Sequence, residues 1–175
     1  METKRLFVAV EIPADIRHKI YEFALQLEQD GVKIVEEENL HITLKFLGDV
    51  QSARVLGITE MLKKVPVKKF KCALGKIGAF PKPDYVRVVW VGAESKELAE
   101  LAAGVADCLA GVGKEEDRPF SPHLTIARVK KKVDLRAFLE RNKNIEFGAF
   151  EVGGFSLFES TLTREGPVYK KLAEF

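Results

Sequence analysis

A chain of 175 residues, 46% hydrophobic and 31% charged, has the size of one domain and can bury roughly two thirds of the surface its unfolded form exposes, which excludes a disordered peptide or one that needs covalent staples. The 28 basic and 26 acidic residues nearly cancel to a formal charge of +2, so net charge singles out no partner. Cys72 and Cys108 lie far apart without C-x-x-C spacing; this excludes a zinc ribbon or a disulfide framework, and both are expected as buried free thiols.

The first element is "LFVAVEI" (6–12), an apolar strand pattern broken by Glu11 and closed by Pro13, too short for a signal h-region or a membrane span. A cytoplasmic protein with no membrane association is expected. A helix follows, with Ile16, Ile20, Phe23, Ala24 and Leu27 on one face and His18 on its polar side. Next comes "HITLKFLG" (41–48), then a short helical stretch over 52–64 with Val55, Ile58 and Leu62 inward and Ser52 as N-cap. The strand "KFKCALGKIGAF" (69–80) ends this half.

Adding 82 to each position finds the same order again. "VVWVGAE" (88–94) is strand-like, and Leu98, Leu101, Ala102, Val105 and Leu109 form a helical stripe. "HLTIAR" (123–128) repeats the histidine strand, 134–141 is helical with Asp134 as N-cap, and "EVGGFSLFESTL" (151–162) reads as the closing strand. The expected architecture is α+β, one bilobal domain over 1–175 with an internal repeat at about 5–82 and 87–164, since neither half alone has much core. The basic runs at Lys63–Lys64, Lys68–Lys71 and Arg128–Lys132 most often mark a solvated face.

Side chains alternate along a strand, so His41, Thr43 and Lys45 are expected on one face and Ile42, Leu44 and Phe46 on the other, with His123 and Thr125 set against Leu124 and Ile126. The histidine and threonine of each pair then stand roughly 6.5 Å apart, close enough to touch one small anionic group. Duplication relates the pairs by a pseudo-two-fold axis and lets both face one cleft. No carboxylate or third histidine sits at ligand spacing, which points away from a metal. Two imidazoles titrating near neutral pH suit a general acid and a general base, and two hydroxyls suit stabilisation of phosphoryl oxygens. Attack of water on a phosphodiester fits that assembly.

"HITLKFLG" and "RPFSPHLTIAR", with "RLFVAVEIP", "VRVVWVG" and "FSLFESTLTREGPVY", closely resemble the two H-x-T-x motifs and flanks of the two-histidine (2H) phosphoesterases, specifically the RNA 2′,3′-cyclic phosphodiesterases also called 2′-5′ RNA ligases. The resemblance spans nearly the whole chain. It implies a duplicated two-lobe fold, each lobe an antiparallel sheet facing a central cleft with helices outside. It also implies opening of 2′,3′-cyclic phosphate ends of RNA, tRNA fragments among them, to 2′-phosphates by a monomer without metal or other cofactor. His41 would be proton donor, His123 proton acceptor, and Thr43 and Thr125 the phosphate holders. The alternatives are 2′-5′ ligation of RNA halves by the same pair, or a non-catalytic RNA-end binder. Arg128 matches the family's substrate arginine, although simple alternation puts it on the face opposite His123 unless the strand twists or bulges. Arg118, in the segment entering the second histidine strand, is the other candidate, and Phe120 is the aromatic best placed to stack a base.

Overall fold

The computed structural model describes residues 2–115 and 117–175. In chain order the elements are β1 (Thr3–Glu11), α1 (Ala14–Ala24), β2 (Val32–Ile34), β3 (His41–Gln51), α2 (Val55–Leu62), β4 (Phe70–Lys82), β5 (Tyr85–Glu94), α3 (Lys96–Cys108), β6 (His123–Val129), α4 (Arg136–Asn142), β7 (Glu146–Val152), β8 (Ser156–Leu162) and β9 (Pro167–Glu174). Among the described residues no helix is long and apolar enough to cross a membrane.

The helices follow their apolar stripes. Ile16, Ile20, Phe23 and Ala24 of α1 are buried, as are Leu98, Leu101, Ala102 and Val105 of α3. Ser95 starts α3 by accepting the Leu98 N–H at 3.3 Å, which satisfies one orphan donor of the first turn. The two expected caps need correction. Ser52 caps nothing: its stretch opens as a 3-10 turn over Ser52–Arg54, and its hydroxyl is buried without a partner among the described residues. Asp134 stands one residue outside the cap of α4, which is Leu135, but its carboxylate accepts the Arg136 N–H at 3.1 Å and so still serves the helix start. The thiols are free, with Cys72 buried and Cys108 only half-buried.

The strands run in the order β7-β4-β5-β6-β3-β1-β8-β9, with β2 also paired to β6. One lobe is therefore β3-β1-β8-β9 and the other β6-β5-β4-β7, meeting where β3 and β6 pair at Ile42 and Leu124. The fold class is α+β with two antiparallel lobes. The halves of the chain do not coincide with the lobes, however. β4, from the first half, pairs with β5 from the second, and β8 returns to β1; α1 packs on β6 and β7, whereas α3 packs on β3. The expected single strand over 151–162 is also two strands, broken at Gly153–Phe155. There the chain leaves the outer edge of β4 and crosses to β1, and Phe155 exchanges backbone hydrogen bonds with Phe175 at 3.0 and 2.9 Å.

One glycine in this frame bears on the site. Gly78 of β4 lies opposite Trp90 of β5, and a Cβ at position 78 would clash with the indole ring. Trp90 in turn packs on Phe80, with centroids 5.4 Å apart. Gly78→Ala must push the indole aside and is expected to lower stability by about 1–3 kcal/mol, the usual cost of overpacking. Urea unfolding of the two proteins measures it, and an unchanged midpoint would show that the indole has room to move.

Candidate active site

β3 and β6 run antiparallel, and the pairing of Ile42 with Leu124 fixes what lies beside it. Both of these side chains are fully buried, so their neighbours point the other way. Continuing the register by one residue in each direction sets His41 beside Thr125 and Thr43 beside His123, about 4.5–5.5 Å apart between Cβ atoms. All four line one cavity of about 410 Å³, together with Arg128, Tyr169 and Phe7. The parity of the strands thus brings the two motifs together.

Beyond the threonines simple alternation fails, at the same place in both strands. In β3 the register against β1 slips between Thr43 and Lys45, leaving Leu44 as an extra residue. In β6 the register against β5 slips between Thr125 and Ala127, with Ile126 the extra residue. A bulge of this kind puts two consecutive side chains on the core face and reverses the parity after it. Leu44 and Lys45 are accordingly both buried, as are Ile126 and Ala127. Lys45 therefore does not share the histidine face, and Phe46 does: it lines the cavity, with the Arg5 guanidinium 4.8 Å above its ring. The second bulge likewise brings Arg128 onto the face of His123.

The two imidazoles are anchored alike. Nδ1 of His41 lies 2.6 Å from the Asn39 carbonyl oxygen, and Nδ1 of His123 lies 2.6 Å from that of Ser121. A carbonyl only accepts, so each ring carries its proton on Nδ1 and turns Nε2 to the cavity. Nε2 of His41 is 3.0 Å from Thr43 Oγ1, whose hydroxyl donates to it when the ring is neutral. Asn39 is itself buried and donates from Nδ2 to the Pro167 carbonyl at 2.8 Å, tying the turn before β3 to the start of β9.

Their surroundings differ. His41 stacks on Phe7, with centroids 4.8 Å apart, and Tyr169 meets it edge-on at 5.3 Å. Burial lowers its pKa to about 4; the hydrogen bond to Asn39 opposes this, and the Arg128 charge and His123 reinforce it. The His123 ring instead stands perpendicular to that of Phe80, with centroids 5.0 Å apart.

Arg118 and Phe120 do not join this group. They line a second cavity of about 660 Å³, which shares only Thr43 and His123 with the first. His18 is exposed, 3.2 Å from Glu37. Tyr169 and Asn39 are site neighbours that no motif flagged. Asn39 immediately precedes the "LHIT" run, but a polar residue before a strand carries no signal of its own, and Tyr169 reaches the site on β9, beyond the repeat.

A family model described as LigT-like phosphoesterase matches the chain twice, over residues 10–90 and 91–169. The RNA 2′,3′-cyclic phosphodiesterase of Archaeoglobus fulgidus is 44% identical over 98% of this chain and 99% of its own length. That of Methanocaldococcus jannaschii is 39% identical over the same shares. Among solved structures, Escherichia coli LigT complexed with 3′-AMP superposes with a TM-score of 0.83 at 26% identity, covering 99% of this chain and 98% of that one. A protein of Thermus thermophilus gives 0.81 at 31% identity, covering 98% and 96%.

The lowered pKa of His41 has a measurable effect on stability. Between its folded value of about 4 and an unfolded value of about 6.5, the unfolded chain binds more protons, so stability rises with pH across that window. Acidifying from pH 7 to 4 is expected to remove on the order of 3 kcal/mol through this group. Urea unfolding of wild type and His41→Gln at both pH values isolates the effect: the variant should lose less stability by about that amount, and equal losses would mean that His41 is not held neutral.

Proposed function

Because the chain belongs to the LigT-like phosphoesterase family, we propose that it opens 2′,3′-cyclic phosphate ends of RNA to 2′-phosphomonoesters, with His41 and His123 as the acid–base pair. The observation that carries this reading is a single cavity lined by two Nδ1-anchored imidazoles, two threonine hydroxyls and an arginine. Each part has work in a phosphodiester hydrolysis.

The cyclic phosphate lies between the two rings. His123 takes a proton from water on Nε2, the water oxygen bonds to phosphorus, the P–O3′ bond breaks, and O3′ takes the proton from Nε2 of His41. The product keeps its phosphate on O2′. Thr43, Thr125 and Arg128 hold the non-bridging oxygens as charge develops on them. His41 must be protonated to act as the acid, whereas in the free site it is neutral near pH 7. The bound phosphate supplies the change: its negative charge favours the imidazolium and offsets the Arg128 charge that opposes it. Thr43 Oγ1 is then released from Nε2 to donate to the phosphate instead.

The reading extends to RNA fragments, those of tRNA included, as substrates. It takes the protein as a monomer, since one chain supplies both histidines, and as cytoplasmic, in keeping with two unpaired thiols.

His41→Ala and His123→Ala should each slow opening of a cyclic-ended oligonucleotide by roughly 10²–10⁴. Because the pair acts as a unit, the double variant should lose much less than the product of the two. Full activity in either single variant would sink the mechanism. A substrate with sulfur at the 3′ position separates the roles, because a thiolate leaves with little protonation. The His41→Ala defect should shrink on it while that of His123→Ala persists, and the reverse pattern would exchange acid and base.

A further inference from the structure

The larger cavity, about 660 Å³, is within the usual size of small-molecule sites. It adjoins the reacting phosphate through Thr43 and His123. One wall is the alanine face of α3, with Ala99, Ala103 and Ala106, and Phe80 and Phe120 add aromatic surface. Lys45 also lines it, although its side chain is almost wholly enclosed, at 8% exposure. Among the described residues no carboxylate lies within ion-pair distance of Lys45, including Glu115 in the same cavity, whereas the more exposed lysines Lys4 and Lys33 are paired with Glu159 and Glu36. Enclosed charges are ordinarily paired. The fold does not require a cation here, since the position that follows the bulge in the other histidine strand holds the buried apolar Ala127.

We propose that this cavity is a second nucleotide subsite, in which Lys45 binds the phosphodiester joining the terminal nucleoside of the substrate to its 5′ neighbour. The inference rests on the RNA-end reading above and adds where the chain runs. With the cyclic phosphate between His41 and His123, the next negative charge along the strand is that phosphodiester. The neighbouring base lies against the alanine face and Phe120, a flat apolar surface suited to stacking without sequence preference. Arg118 at the same cavity adds positive charge near the strand.

The test compares kcat/KM for a nucleoside 2′,3′-cyclic phosphate and a dinucleotide ending in the same group. Wild type should favour the dinucleotide by about 10- to 100-fold, the range for one charge-assisted contact in an enclosed site. Lys45→Met, which keeps an unbranched side chain and removes the charge, should bring that ratio close to one. Ala103→Phe, at an exposed helix position, should lower it by filling the wall. A wild-type ratio near one, or a ratio kept in both variants, overturns the subsite, as does an equal loss on both substrates in Lys45→Met. Failure of wild type to open either substrate would remove the RNA-end reading itself, a result distinguishable from those.

Discussion

The site depends on one backbone pairing, that of Ile42 with Leu124. It is the point where the two lobes share a sheet, and both side chains are sealed in the core. A slip of one residue would turn every side chain of a histidine strand to the opposite face. Burying a histidine and a threonine in place of Ile42 and its neighbours would leave polar groups without water or partners. The apolar half of each motif therefore fixes the register, and the polar half inherits its geometry. His41 comes to stand beside Thr125 and Thr43 beside His123 as a consequence of where the isoleucine and leucine must go.

The crossing of the chain between lobes protects that pairing. Each lobe takes its third strand and its covering helix from the other half of the sequence, so separating the two halves of the sequence would strip β4 from β5, β8 from β1, and α1 and α3 from the sheets they cover. A two-lobed protein with separable halves would open at its thinnest contact. Here the chain crosses repeatedly between the lobes, from β3 to β4 and from β7 to β8, which opposes opening at that contact. Positioning groups in advance of reaction is what makes acid–base pairs effective.

Much of this was legible in the sequence because it rests on period-two alternation, and that signal is strong where one face of a strand is core. The four histidine and threonine residues came from it, as the stripes of α1 and α3 came from the 3.6-residue period of a helix. What alternation misses is any place where its period breaks. The bulges at Leu44 and Ile126 are marked by no glycine or proline, and they decide that Arg128 and Phe46 face the histidine cavity while Lys45 turns into the adjoining one. The two glycines at 153 and 154 carried a signal of interruption, yet the offset of 82 made one strand of 151–162. β9 lies beyond the repeat, so Tyr169 had no counterpart to draw attention to it.

Alike in sequence, the two histidines are unlike in surroundings, and the difference comes from residues outside the motifs. Phe7 stacks on the face of His41 and Tyr169 closes its edge. Phe80 stands perpendicular to His123 rather than stacked on it. Enclosure by aromatic rings disfavours an imidazolium through lost solvation, which is why His41 sits near pKa 4 in the free site. On the proposed reading this group gives up a proton, so it is no acid near pH 7 in the free site and becomes one when the negative phosphate raises its pKa enough to charge it. An acid that charges only when its substrate is bound avoids holding a bare imidazolium beside Arg128 in the empty cavity. On that reading the rings packed behind them make a symmetric pair of strands into two different catalysts.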